Sequence, residues 1–205
     1  GSTTAFKSYV LSAKFLTMAV WDNLGGTAVA NLTDDARYQA GTPDRNLIIA
    51  GNFDSTPAYQ ADNYGAQVDG FLIPKQSGSY NFYISSDDAS ELWLSTDETT
   101  AKLEKIAEET DCCEGFVEYG TLNDDGATST TSELITLTAG RRYAIRALVK
   151  EGGGGDYVRV AWKLDSDQTA AANLTPIPGE FLATYANPVG ASVTIATEPA
   201  DTTAE

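Results

Sequence analysis

Apolar positions along this chain recur with a period of two, not 3.6. Tyr143, Ile145, Ala147 and Val149 fall on one side of an extended segment, with Arg142, Ala144, Arg146 and Leu148 on the other. Val158, Val160, Trp162 and Leu164 alternate in the same way with Tyr157, Arg159 and Lys163. Further strands are predicted over 67–74, closed by Pro74, over 79–84, 91–96 and 103–107, and over 132–137, where Ala139-Gly140 turns the chain. Leu47-Ile48-Ile49 is the one clear apolar run in the loop-rich stretch 40–66. From Phe6 to Trp21, through Tyr9, the chain reads as one extended apolar segment. Asn31-Leu32-Thr33-Asp34-Asp35 has the capping residues of a short helical turn, but no long helical period follows. Many short strands separated by Gly and Asp turns predict an all-β, antiparallel sandwich or barrel with little helix.

The pattern changes after Tyr185. Residues 1–186 are predicted to form one domain, and 187–205, with its short Val193-Thr194-Ile195 run, a linker or the start of a following, Ig-like domain. Gly1-Ser2 has the look of a cloning remnant, as expected for a module cut from a longer chain.

Composition removes whole classes of function. The formal charge is −16, from 29 acids against 13 bases, which repels nucleic-acid backbones and anionic lipid. No apolar run approaches membrane-spanning length. With no histidine in 205 residues, Ser-His-Asp and Cys-His catalysis and His-ligated zinc are excluded within this chain. The two cysteines are adjacent, Cys112-Cys113, so CxxC chemistry is not supported. They are either two reduced thiols or a vicinal disulfide, whose Cα atoms, about 3.8 Å apart, are closer than in most bridges.

Two loops carry candidate chemistry. Asp87-Asp88 sits between the strands 79–84 and 91–96, and adjacent carboxylates repel unless a cation lies between them. A hard divalent ion such as calcium takes several carboxylate and carbonyl oxygens; the alternative is a solvated turn in an acidic protein. Lys150-Glu151-Gly152-Gly153-Gly154-Gly155-Asp156-Tyr157 joins two convincing strands with more glycine than a hairpin needs. Either its carbonyls and the Asp156 carboxylate approach a ligand freely, or it is a flexible hairpin tip. Asn123-Asp124-Asp125-Gly126 reads as a turn without EF-hand spacing.

These residues carry a resemblance. Asn63 to Leu72, Ser77 to Leu94 with Asp87-Asp88, Leu137 to Tyr143, the glycine loop and Val160-Ala161-Trp162 together resemble the anthrax protective-antigen amino-terminal (PA-fourteen) domain family. Val20 to Thr27 is similar to its bacterial branch. The resemblance covers about residues 5 to 185. It implies a barrel-like jelly-roll sandwich in which Asp87 and Asp88, joined by a cis peptide, bind one Ca²⁺. It further implies that the second loop adds Gly153 and Gly154 carbonyls and the Asp156 side chain, with Glu151 a further ligand-site candidate.

The function expected on this basis is calcium-dependent, lectin-like binding of glycans or terminal monosaccharides through vicinal hydroxyls. Tyr157, Trp93 and the Asp111-to-Tyr119 segment, with Cys112 and Cys113 on the rim, are candidate contacts. The expected setting is extracellular or cell-surface, as an adhesin-type module monomeric in isolation and flanked by other domains. Export favours the bridged form of the cysteine pair. The alternatives are a calcium-stiffened spacer that binds no sugar, or an accessory module of a secreted glycoside hydrolase. Catalysis is not expected, because glycosidase carboxylates flank the bond about 5–10 Å apart and adjacent residues on one loop do not.

Overall fold

The computed structural model describes residues 10–121 and 130–186. The Phe6–Tyr9 end of the first apolar segment, the Asn123–Gly126 turn and the 187–205 segment lie outside these residues.

The period-two pattern becomes strands. β1 (Val10–Ala13) and β2 (Phe15–Trp21) divide what reads as a single extended segment. The division falls at Lys14, whose φ of 70° is left-handed and cannot continue a strand. Two short helices follow, α1 (Val29–Thr33) and α2 (Ala36–Gln39). Asp35 caps α2 by accepting from the Arg37 amide at 2.8 Å. Asn31, expected at a cap, lies inside α1, where its side chain accepts from the Ala28 amide at 3.1 Å. The remaining strands are β3 (Arg45–Ala50), β4 (Tyr64–Leu72), β5 (Gly78–Asp87), β6 (Ser90–Ser95), β7 (Leu103–Glu109), β8 (Ile135–Leu137), β9 (Tyr143–Glu151), β10 (Tyr157–Leu164) and β11 (Leu182–Ala186). The expected 132–137 strand is shorter, because Ser132 instead accepts the Phe82 amide on its Oγ and donates its own amide to the Phe82 carbonyl.

All pairings between these strands are antiparallel. The larger sheet runs β1-β11-β4-β9-β6-β7, with β2 also on β4 and β3 beyond β2; the smaller runs β10-β5-β8. Between them Met18, Val20, Val68, Phe82, Ile84, Leu92, Ile145, Ala147, Val149, Val158 and Val160 form the core. Each large aliphatic or aromatic side chain buried there contributes roughly 1.5–3 kcal/mol. This is an all-β antiparallel sandwich. Among the described residues, no helix is long and apolar enough to cross a membrane.

β9 is buried on both faces over most of its length. Its inner face meets the core, and on the outer face Leu148 packs with Val29 of α1, Ala89 and Tyr38. Of the connections that cross between the sheets, two meet at one end. β5 passes to β6 through Asp87-Asp88-Ala89, and β9 returns to β10 through the glycine loop. Since Tyr157 pairs with Asp87 and Ser90 with Val149, the crossings emerge side by side at one end of the sandwich.

Candidate metal and ligand site

Where the sheets exchange strands, carboxylates from both crossings converge. Asp87 is the last residue of β5, and the Asp87-Asp88 peptide is cis. The turn is held by Ser86 Oγ, 2.6 Å from the Asp88 carbonyl and 2.6 Å from Ser90 Oγ. From the other crossing, the Gly152 amide donates to Asp88 Oδ2 at 2.9 Å. Glu151, the last residue of β9, points inward on the same side of its strand as Val149 and is fully buried.

One oxygen from each of Asp87, Asp88 and Glu151 can be chosen so that all lie within 4.8 Å of one another. Ligands on opposite sides of a calcium ion, each about 2.4 Å away, are separated by about 4.8 Å, so three such oxygens fit one shell. Neither Glu151 oxygen has a hydrogen-bond partner among the described residues. A buried carboxylate without donors is costly, and a cation is one way to satisfy it.

The electrostatics point the same way. Burial, and then the charges of Asp88, Asp87 and Asp156, push the Glu151 carboxyl up to about 7. Burial followed by Asp88 and Asp156 raises Asp87. The nearest compensating charge is Lys150, itself fully buried, whose Nζ donates to the Glu151 carbonyl at 2.6 Å. Burial lowers the Lys150 pKa despite the neighbouring Glu151 and Asp88.

Asp156 is placed differently. Its Oδ2 accepts from the Ala61 amide at 2.5 Å and its Oδ1 from the Tyr64 hydroxyl. These bonds brace the glycine loop against the segment 59–64, as does the bond from the Asn63 amide to the Gly152 carbonyl at 3.1 Å. Burial raises the Asp156 carboxyl while its two donors pull it down. Gly153 and Gly154 are exposed on the loop, with Asp62 facing Gly153. Two glycines are demanded sterically. A Cβ on Gly155 would sit 2.0 Å from Asp87 Oδ2, and Gly154 has φ +121°.

Tyr157 lies half-buried opposite Asp87, with the Arg159 guanidinium 4.4 Å from its ring centre. Cys112 and Cys113 form a disulfide, and Cys112 Sγ lies 3.2 Å from Asp87 Oδ1. Being oxidised, these sulfurs offer no thiolate to a metal. The Cys113 amide donates to the Ser86 carbonyl at 2.8 Å, which holds the Asp111-to-Tyr119 segment against β5. Trp93 stands apart on the outer face of the larger sheet.

Against known sequences, the profile of the PA14 domain matches residues 27–172, more than half of the chain. The chain belongs to the PA14 domain family. Two curated Mus musculus proteins contain similar segments. N-acetyl-beta-glucosaminyl-glycoprotein 4-beta-N-acetylgalactosaminyltransferase 1 is 34% identical over 102 residues, 49% of this chain and 10% of that protein. Fibrocystin-L is 28% identical over 155 residues, 71% of this chain and 3% of that protein. This PA14 domain thus spans a small fraction of both. Among solved structures it resembles the A domain of epithelial adhesin 6 from Candida glabrata in complex with Galb1-3GlcNAc. That match has a TM-score of 0.56 at 14% identity, covering 92% of this chain and 94% of the other. The PA14 domain of the MpAFP antifreeze protein gives 0.58 at 13% identity (89% and 96% covered), and a PA14 sugar-binding domain from an RTX adhesin gives 0.56 at 14% (84% and 99%). At these identities the likeness is one of fold.

Reading the PA14 domain from sequence alone passed over Lys150, Tyr64, Ala61 and Asp62. Lys150 reads as an ordinary strand-end cation. Ala61 and Asp62 come from a loop whose sequence carries no motif, and Tyr64 is a strand residue at the start of β4.

Proposed function

We propose that this domain is a calcium-dependent carbohydrate-binding module. Asp87, Asp88 and Glu151 would hold the ion, with carbonyls of Gly153 and Gly154 completing the protein's share. Asp156 would keep the loop in place through Ala61 and Tyr64. The single observation that carries the reading is the triad of carboxylates with Glu151 buried and unpartnered among the described residues. Bound calcium would supply open coordination positions for two neighbouring sugar hydroxyls, because three carboxylates and two carbonyls leave a seven- or eight-fold shell incomplete. The chain's own work is then to orient these oxygens. The rim of Tyr157, Asp62 and the Cys112-Cys113 loop would select among ring shapes.

Sugar-bound and sugar-binding neighbours of the same fold support the ligand class. The Cys112–Cys113 disulfide supports an oxidising, extracellular or cell-surface setting. One ring on one ion binds weakly, roughly millimolar, so adhesion would rest on repetition of modules or sites.

A glycan array probed with calcium, and again with chelator, tests this reading. We expect signals that vanish with chelator, return with calcium, and are missing in Asp87→Asn. Glycan signals indifferent to both changes overturn the calcium mechanism. Calcium binding with no calcium-dependent glycan signal leaves a calcium-stiffened spacer.

A further inference from the structure

A second hollow lies away from the acidic corner, on the outer face of the larger sheet. Its volume is ≈ 450 Å³, within the roughly 300–1,000 Å³ of small-molecule sites. The floor is the outward side of β6 and β9, where Glu91 pairs with Leu148 and Trp93 with Arg146. Tyr38 forms one wall and Leu103 the other.

Its polar groups are held in place before any ligand arrives. The Trp93 indole Nε1 donates to Glu91 Oε2 at 3.0 Å, and Lys105 Nζ lies 3.4 Å from Glu91 Oε1. Arg146 grips Asp69 through Nε at 2.7 Å and Nη2 at 3.2 Å. The Tyr38 hydroxyl donates to Gln67 Oε1 at 2.9 Å, and Gln67 Nε2 in turn donates to Asp69 Oδ2 at 2.6 Å.

The acids and bases around the floor are paired, so the hollow favours an uncharged ligand. Capacity remains: a guanidinium has five N–H donors and a carboxylate about four acceptor sites. Trp93 is half-buried, and its ring is oriented by the bond to Glu91. A flat apolar platform beside fixed acceptors and donors suits a ligand with a C–H face and a rim of hydroxyls, which is a pyranose ring.

We propose that this cleft is a second carbohydrate subsite, independent of calcium, in which one pyranose ring stacks on Trp93 with its hydroxyls toward Glu91 and Arg146. It shares the ligand class of the function proposed above but none of its residues.

The test is ligand-observed saturation-transfer NMR on Asp87→Asn protein in chelator, which silences the acidic corner. The probes are the methyl β-glycosides of galactose, glucose and N-acetylglucosamine, and methyl α-mannoside. At least one glycoside should receive saturation, and that signal should be lost in Asp87→Asn/Trp93→Leu protein with an unchanged melting temperature. Should Trp93→Leu unfold, Glu91→Gln serves instead: a weakened signal supports the subsite, an unchanged one overturns it. No saturation transfer to any of the four, or a signal that persists in the folded Trp93→Leu protein, also overturns it. The calcium reading is judged separately, from the difference between calcium and chelator in the unsubstituted chain.

Discussion

The Gly152 amide donates to Asp88 Oδ2 at 2.9 Å across 64 residues of sequence, joining the crossing that leaves β5 to the one that leaves β9. Calcium bound at this junction would tie both crossings together, so its effect on stability should be large. With a dissociation constant on the order of 0.1 mM, ~10 mM calcium adds about 2.7 kcal/mol, a rise of roughly 5–10 °C in melting temperature. Asp88→Ala should abolish this increment yet still fold, because the core lies between the sheets. Equal calcium shifts in Asp88→Ala and the unsubstituted chain would place the metal elsewhere.

Glu151 predicts the pH dependence of the metal-free protein. Its carboxyl is raised from 4.5 to about 7 in the folded state, so the folded chain holds the proton longer than the unfolded one. The Glu151 contribution to stability is therefore full below about pH 4.5 and declines as pH rises toward 7, by at most about 1.4 kcal/mol per pH unit for one proton. Glu151→Gln should flatten that decline. Calcium affinity should rise over the same window, since the ligand must be ionised. Urea unfolding in calcium-stripped buffers at several pH values measures this, and identical profiles for both proteins would contradict it.

Gly155 and Gly153 should differ sharply although both lie on the exposed loop. A Cβ at Gly155 would sit 2.0 Å from Asp87 Oδ2, whereas at Gly153 the nearest neighbour is Asp62 at 3.7 Å. Gly155→Ala must displace the Asp87 carboxylate and should weaken calcium binding tenfold or more, about 1.4 kcal/mol. Gly153→Ala should bind nearly as the unsubstituted chain does. Calorimetric titration of both distinguishes them, and equal affinities would mean that the Asp87 carboxylate is not a ligand.

Lys150 would oppose a bound cation. Replacing it with Met removes a buried positive charge beside Glu151 and Asp88 but also the donor to the Glu151 carbonyl. Metal-free stability should fall by about 1–3 kcal/mol, while the calcium dissociation constant falls several-fold. Weaker calcium binding in a folded Lys150→Met protein would show that the lysine supports the site instead.

Much of this molecule was present in local pattern. Alternation in 143–149 and 157–164 marked β9 and β10, because one face of each strand meets the core between the sheets while the other carries Arg146, Arg159 and Lys163. Asp87-Asp88 and the glycine loop stood out because adjacent carboxylates repel and four consecutive glycines exceed what a hairpin needs. Position in space was not present. Alternation places Glu151 and Lys150 on opposite faces of a strand end, but cannot say that both faces are covered there. Only the two sheet crossings, lying side by side, bury Glu151 among Asp87 and Asp88. The bonds that Asp156 accepts from Ala61 and Tyr64 depend on a loop and the start of β4, more than ninety residues earlier. Trp93 could be assigned to the outer side of β6 from its neighbours Leu92 and Leu94. That Tyr38 and Leu103 then flank it as a cleft follows from long-range packing, which no period along one segment encodes.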